Sequence, residues 1–150
     1  MATRSFELTT IVSAPPAGVI DFLADLSAHR GMHPYLQSAQ VVARGTAADG
    51  EWAEWAVVER PRLGPLRYTI RFPARMTRVS PDSLEGRVRA APGCYLRTTT
   101  TARATDVGTV VGEVTEVEAP LPLVAYMARH ARLAHERTFS MLNAELARRS

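Results

Sequence analysis

Histidine is the residue type best suited to chemistry near neutral pH, because its ordinary pKa lies near about 6.5. The chain has four histidines in two pairs. The first pair, His29 and His33, is four residues apart, so a continuous helix would place both on one face with Asp25 one turn earlier. A zinc site needs at least three ligands in a defined geometry. Gly31 interrupts this short segment, so we predict a polar helix end at the protein surface and no bound metal.

The second pair, His130 and His135, is separated by about 140° around a helix, so the two side chains cannot share one metal ion. His135 falls on the apolar stripe of a predicted C-terminal helix, with Thr138 close by on the same face. Two interpretations of His135 stay open. It is either a core histidine hydrogen-bonded to a sheet residue such as a threonine, or a polar anchor or acid–base group in a ligand cavity.

Other motifs that carry chemistry are missing from the sequence. It contains no P-loop, no Gly-rich dinucleotide fingerprint, no G-x-S-x-G and no H-E-x-x-H. All eighteen basic residues are arginine, so no lysine is present to form a Schiff base. The single cysteine, Cys94, can form neither an internal disulfide nor a zinc cluster. We therefore predict no cofactor.

The charge and the lengths of the apolar runs limit the class of protein and its partners. The net charge is +3, and the arginines are interleaved with acids along the chain, which is typical of a solvated surface rather than a nucleic-acid site. No apolar run approaches the ~20 residues of a membrane span. The N-terminus lacks the form of a signal peptide. These features predict one cytoplasmic domain over residues 1–150, without a transmembrane segment or nucleic-acid partner, as a monomer or homodimer.

A long amphipathic helix, predicted over Pro120–Arg149, is the element that must position His135 and Thr138. Apolar residues recur on its stripe at helical spacing, from Val124 to Leu146. The centre of this stripe carries small residues, where a packed core would have Leu or Ile. Either a sheet approaches closely there or space remains for a ligand; the residues concerned are Ala128, Ala131 and Ala134.

The rest of the chain predicts seven strands and two short helices. Alternation and turn residues place the strands at Phe6–Ser13, Gln37–Arg44, Glu51–Glu59, Leu66–Val79, Ser83–Ala90, Cys94–Thr105 and Thr109–Glu118. Both helices follow the first strand, at Ala17–Leu26 and Ala28–Met32. Consecutive strands with short connections form an antiparallel meander. An α+β protein whose seven-stranded curved sheet grips the long C-terminal helix buries both apolar faces.

Strand alternation also predicts which side chains face the helix. Leu66, Tyr68, Ile70 and Phe72 alternate with polar residues, so Arg67 and Arg71 should point outward. The same argument favours Trp55 over Trp52, and Leu96, Thr98 and Thr100 as an inner row. Core packing is the alternative role for these residues. The residues predicted to contact a ligand are Trp55, Tyr68, Ile70, Phe72, Leu96, Thr98, Thr100, Met127, Ala128, Ala131, His135 and Thr138.

Two segments and the closing helix resemble a known family. The segment Ile11–Pro16 (IVSAPP) leads into the helix Val19–Leu26 (VIDFLADL), and His33–Leu36 (HPYL) precedes the second strand. Together with the C-terminal helix, these features resemble START-like (SRPBCC) proteins of the polyketide cyclase/dehydrase and lipid-transport group, over essentially the whole chain. The resemblance implies a helix-grip fold with a deep cavity between sheet and helix. Such cavities hold lipids, sterols, quinones, hormones or polyketide intermediates.

Three functions remain open, in the following order. The first is binding or transport of a hydrophobic small molecule such as a lipid, quinone or polyketide, held by apolar burial and a few polar anchors. The second is a polyketide aromatase/cyclase, in which Tyr68, His135 and Tyr126 would polarise carbonyls and move protons. The third is a protein-interaction module without a ligand. The cyclase needs convergent polar groups deep in the cavity, and the sequence offers few, so binding ranks first.

Overall fold

A computed structural model describes residues 1–149 of the chain. The elements in chain order are β1 (Ala2–Val12), α1 (Pro16–Ala24), a 3-10 turn (Leu26–His29), β2 (Leu36–Ala47), β3 (Gly50–Glu59), β4 (Arg62–Leu63), β5 (Leu66–Arg67), β6 (Ile70–Ser80), β7 (Ser83–Ala91), β8 (Cys94–Thr105), β9 (Gly108–Ala119) and α2 (Leu121–Arg149). The predicted α+β class, with a seven-stranded antiparallel sheet and a long C-terminal helix, is confirmed.

The sheet has the strand order β1-β9-β8-β7-β6-β3-β2. From β6 to β9 each strand pairs with the next one in sequence, because only tight turns separate them. The first strand pairs with the last, in a register that runs from Ala2 opposite Ala119 to Val12 opposite Thr109. The N-terminal and C-terminal parts of the strand region therefore meet at one edge of the sheet.

The helix α2 packs on the face of the sheet and contacts β1 and β9. Most of the predicted apolar stripe is buried there, including Val124, Ala134, Phe139 and Leu142. Two clusters anchor the helix at its ends. Near its start, Val124 packs with Phe6 and Cys94; near its end, Phe139, Leu142 and Leu146 pack with residues of α1. The middle of α2 lies between these clusters, over a cavity.

The two predicted short helices differ from the structure. The second short helix, predicted over Ala28–Met32, is a 3-10 turn that starts at Leu26, because the Asp25 side chain accepts a hydrogen bond from the Ser27 amide at 3.1 Å and caps it there. The first helix ends at Ala24 rather than Leu26 for the same reason.

The predicted strand Leu66–Val79 is divided. Its first two residues pair with Arg62 and Leu63 in a small separate ribbon, because Gly64 and Pro65 form a tight turn. Only β6 joins the main sheet. Leu66, predicted to face inward, is consequently 67% exposed. No helix among residues 1–149 is long and apolar enough to cross a membrane.

Candidate functional site

A cavity lies between the sheet and the middle of α2, and it consists of two adjoining chambers. The outer chamber has a volume of about 310 Å³ and is lined by the first half of α2 and by the ends of β6, β7 and β8. The inner chamber has a volume of about 150 Å³ and extends towards α1. Both chambers are walled by His33, Glu59, Phe72, Val88 and His135. The boundary between them is therefore a polar band set in apolar walls.

His135 of α2 forms an ion pair from this band to the sheet. Its Nδ1–H donates a hydrogen bond to the carboxylate of Glu113 on β9. The Thr115 hydroxyl donates to the same carboxylate oxygen at 3.0 Å. Glu113 is 8% exposed, so the pair is withdrawn from water. The partner of His135 on the sheet is thus a carboxylate, and not the threonine suggested as an example from the sequence.

The pair favours its charged form. Burial opposes the imidazolium, but the attraction of the Glu113 carboxylate and the hydrogen bond outweigh burial, so the pKa of His135 lies above its ordinary value of 6.5. Burial likewise opposes the Glu113 carboxylate. The charge and hydrogen bond of His135, with the bond from Thr115, outweigh it and hold the pKa of Glu113 below 4.5. Both shifts favour the charged imidazolium–carboxylate pair over its neutral form.

His33 and Glu59 complete the band on the opposite side. His33 Nε2 lies 3.5 Å from Glu59 Oε2, and the rings of His33 and His135 meet edge to face with centroids 6.4 Å apart. Burial, together with the charge of His135, lowers the pKa of His33 to about 3. Burial raises the pKa of Glu59 to about 7. Although the two side chains are close enough for an ion pair, both are neutral between about pH 3 and pH 7.

The outer chamber carries a second group of polar residues. The hydroxyls of Tyr68 and Tyr126 lie 2.6 Å apart in a hydrogen bond that joins the link between β5 and β6 to α2 across the chamber. Burial and this bond raise the pKa of Tyr68. The Tyr35 hydroxyl lies 3.3 Å from His130 Nδ1, and the Tyr126 ring packs on the His130 ring at 4.3 Å. Phenol groups therefore line the end of the cavity away from the His135–Glu113 pair.

Replacing Glu59 by Gln is expected to stabilise the protein at high pH. The carboxyl binds its proton more tightly in the folded chain than in the unfolded chain, so the free energy of unfolding falls as the pH rises from 4.5 towards 7. Glutamine cannot ionise and avoids this loss. Urea unfolding should show Glu59→Gln more stable than wild type at pH 8, by on the order of 3 kcal/mol, and nearly equal at pH 4.5.

The matched control is Glu51→Gln, at an exposed position near the start of the same strand. A Glu59→Gln difference that stays constant between pH 4.5 and pH 8 would show that the carboxyl is solvated and does not belong to the buried band.

Most of the residues predicted to contact a ligand line the cavity, although contact with a ligand remains a prediction. Tyr68, Ile70, Leu96, Met127 and Ala131 line the outer chamber, and Thr98, Thr100 and Thr138 line the inner one. Phe72 and His135 lie at the boundary. Arg67 and Arg71 are exposed, as the alternation predicts.

Two predicted contacts lie away from the cavity. Trp55 faces inward and is buried, but it packs with Leu36, Val57 and Ala74 and lines neither chamber. Its indole Nε1 has no hydrogen-bond partner among residues 1–149. Ala128 packs against the cluster at the start of α2 and lines neither chamber.

Sequence reasoning missed three residues of the polar band. Glu113 lies on the same side of β9 as the buried Val111 and Val117. Valines also occupy the opposite side of this strand, so the sequence alternation does not show which side of β9 faces the interior. Glu59 is the last residue of β3 and was not singled out. His33 and its neighbour His29, expected at the surface, are half-buried and line the inner chamber instead.

The chain matches no protein-family model and no curated protein sequence. Solved structures do match. The Thermus thermophilus protein TTHA0849 superposes with a TM-score of 0.77 at 16% identity, over 98% of this chain and 99% of that protein. Zhui aromatase/cyclase from a Streptomyces species gives 0.75 at 14% identity, over 99% and 96% of the two chains.

A third solved structure has the same architecture. The START superfamily protein from Mycobacterium smegmatis superposes with a TM-score of 0.72 at 12% identity, over 97% of this chain and 99% of that one. All three similarities extend over nearly the whole length of both proteins, so they include both the sheet and the long helix. The chain therefore has the START-like (SRPBCC) helix-grip fold.

Proposed function

We propose that this protein binds a hydrophobic small molecule in the cavity, with a polar oxygen of the ligand at the band of His33, Glu59 and His135. The observation that carries the proposal is an apolar chamber of about 310 Å³ that ends at buried hydrogen-bonding groups. Apolar walls supply the free energy of binding, and a few fixed polar groups supply orientation. The fold is consistent with this role, since it leaves the middle of α2 free of large core residues.

The size of the outer chamber indicates the size of the ligand. An apolar cavity of about 150 Å³ is enough to hold one benzene ring. The outer chamber has about twice that volume and fits two fused rings. The polar band can both donate and accept hydrogen bonds, because the imidazole rings of His33 and His135 carry N–H donors and the Glu59 carboxyl carries acceptor oxygens. A ketone or phenol oxygen fits this combination.

A neutral naphthyl ketone is therefore expected to bind the protein in a 1:1 complex. Isothermal titration calorimetry at pH 7 should give a saturable isotherm with a negative heat-capacity change, because binding buries apolar surface. Naphthalene disulfonate is a matched control, since its two charges cannot be buried in an apolar chamber. Absence of naphthyl ketone binding to protein that melts cooperatively would overturn the proposal.

A second candidate function is a polyketide aromatase/cyclase, and the acid–base groups of the band favour it. Ring closure of a poly-β-keto chain removes a proton from a methylene group between two carbonyls. The resulting carbanion forms a carbon–carbon bond to a distant carbonyl carbon, whose oxygen gains a proton. Glu59, with a pKa near 7, suits the base, and the His135 imidazolium suits the acid. The Zhui structure, a named aromatase/cyclase, shares the fold.

The two functions are separable by one variant. If the protein is a cyclase, Glu59→Gln should bind a short poly-β-ketone as wild type does and lose at least about a hundredfold in the rate of ring closure. Mass spectrometry would follow the loss of water that accompanies aromatisation. Unchanged recovery of the poly-β-ketone from the wild-type protein would leave binding alone as the function.

A further inference from the structure

The two chambers follow one another along β6, β7, β8 and α2. On β6, Ile70 lines the outer chamber, Phe72 the boundary and Ala74 the inner chamber. On α2 the same succession is Ala131, His135 and Phe139. The lining residues run from Ile70 to Met76 on β6, about 20 Å of strand, and from Leu123 to Phe139 on α2, about 24 Å of helix, so the cavity is elongated along both elements. A ligand that occupies both chambers must cross the polar band near its middle.

The band has hydrogen-bonding capacity to offer such a ligand. The 3.5 Å separation between His33 Nε2 and Glu59 Oε2 exceeds the 2.7–3.2 Å of a good hydrogen bond, so a ligand oxygen can compete for either group. A purely apolar segment at this position would leave buried polar groups unpaired, at a cost in affinity. The polar band therefore favours a ligand that carries an oxygen atom where it passes between the two chambers.

We infer that the ligand is an elongated molecule in which one carbonyl or hydroxyl oxygen separates two unequal apolar parts, the larger in the outer chamber and the smaller in the inner chamber. The inference rests on the proposed function and makes it more specific. The inner chamber, at about 150 Å³, fits one six-membered ring or a chain of roughly five or six carbons. The outer chamber fits two fused rings.

Naphthyl ketones with straight alkyl chains of increasing length test this arrangement. The naphthyl group is too large for the inner chamber, so the carbonyl lies at the band and the alkyl chain enters the inner chamber. Titration calorimetry should show the Kd falling about fourfold for each added methylene group, until the chain reaches roughly five or six carbons. Replacing the carbonyl by a methylene group should raise the Kd about tenfold.

Adding one methyl group to the wall of the inner chamber should shorten the alkyl chain length at which the Kd stops falling. Gly86 of β7 lines that chamber, and a Cβ there would lie 3.2 Å from the Met76 sulfur and 3.7 Å from Thr98 Cβ. In Gly86→Ala, the Kd is expected to stop falling at an alkyl chain about one carbon shorter than in wild type. The control is Gly112→Ala, also in mid-strand, whose Cβ would lie 3.6 Å from Thr101 Oγ1, a residue exposed on the outer face.

The outcomes separate this inference from the proposed function. If the methyl ketone binds and the Kd does not depend on chain length, only the outer chamber is used and the inference is wrong. If no naphthyl ketone binds, the proposed function fails as well. Equal Kd values for the ketone and its methylene analogue contradict the role of the polar band. The wild-type series decides each point even if Gly86→Ala does not fold.

Discussion

Replacing Glu113 by Leu is expected to lower the free energy of unfolding by about 3–5 kcal/mol at pH 6. The carboxylate is buried and accepts hydrogen bonds from His135 and Thr115. Its removal leaves the His135 imidazole in the interior without a partner, and an uncompensated buried charge is more costly than the pair. The measurement is urea unfolding followed by circular dichroism. The control is Glu116→Leu at an exposed position on the same strand, which should change stability by no more than about 0.5 kcal/mol.

A double-mutant cycle gives the sharper result. Glu113→Leu combined with His135→Leu should recover much of the loss, because two apolar side chains can replace a buried ion pair at little cost. The stability effect of Glu113→Leu should be largest between pH 4.5 and 6.5. Below that range the carboxylate of the folded protein takes up its proton, and above it the contribution of the raised histidine pKa declines. Simple additivity of the two single variants would contradict a coupled pair.

Replacing Ala131 by Phe should abolish ligand binding without unfolding the protein. The Ala131 methyl faces the outer chamber, so the phenyl ring would occupy space that the ligand needs. Burial of the ring contributes about 1.5–3 kcal/mol, and free volume limits overpacking, so the melting temperature should hold or rise. The Kd for naphthyl methyl ketone should increase at least about tenfold. Melting curves and calorimetric titrations on the same preparations measure both effects.

The matched control is Ala125→Phe, on the exposed side of the same helix. It adds the same side chain outside the cavity and should leave the Kd unchanged. A lower melting temperature for Ala131→Phe, together with unchanged ketone binding, would mean that this part of α2 is ordinary core. Overpacking of a dense interior costs about 1–3 kcal/mol, which the melting curve would detect.

The secondary structure was predictable from sequence where one pattern dominated. The stripe from Val124 to Leu146 has no Gly or Pro to interrupt it, and α2 follows it closely. Turn residues separated the later strands cleanly, so β7, β8 and β9 begin and end within one residue of their predicted bounds. The prediction was wrong where local turn chemistry overrode alternation. The Gly64–Pro65 turn took Leu66 into a separate ribbon, and the Asp25 cap started a 3-10 turn early.

The site was predictable only in its apolar part. Inward positions such as Phe72 and Ala131 follow from periodicity, because burial repeats with the strand or helix. The polar band depends on contacts between residues far apart in the chain. The partner of His135 is Glu113, 22 residues earlier, and no local pattern pairs that glutamate with a histidine of the C-terminal helix. Pairing of this kind is set by tertiary packing.

The crystal structure of the complex with naphthyl methyl ketone tests the central claim most directly. We expect the naphthyl group between α2 and the sheet, beside Ala131 and Phe72, with its oxygen within about 3.2 Å of a polar atom of His33, Glu59 or His135. Density for the ketone on the outer face of the sheet, with the cavity closed by side chains at saturating ketone concentration, would contradict the claim that this cavity is the binding site.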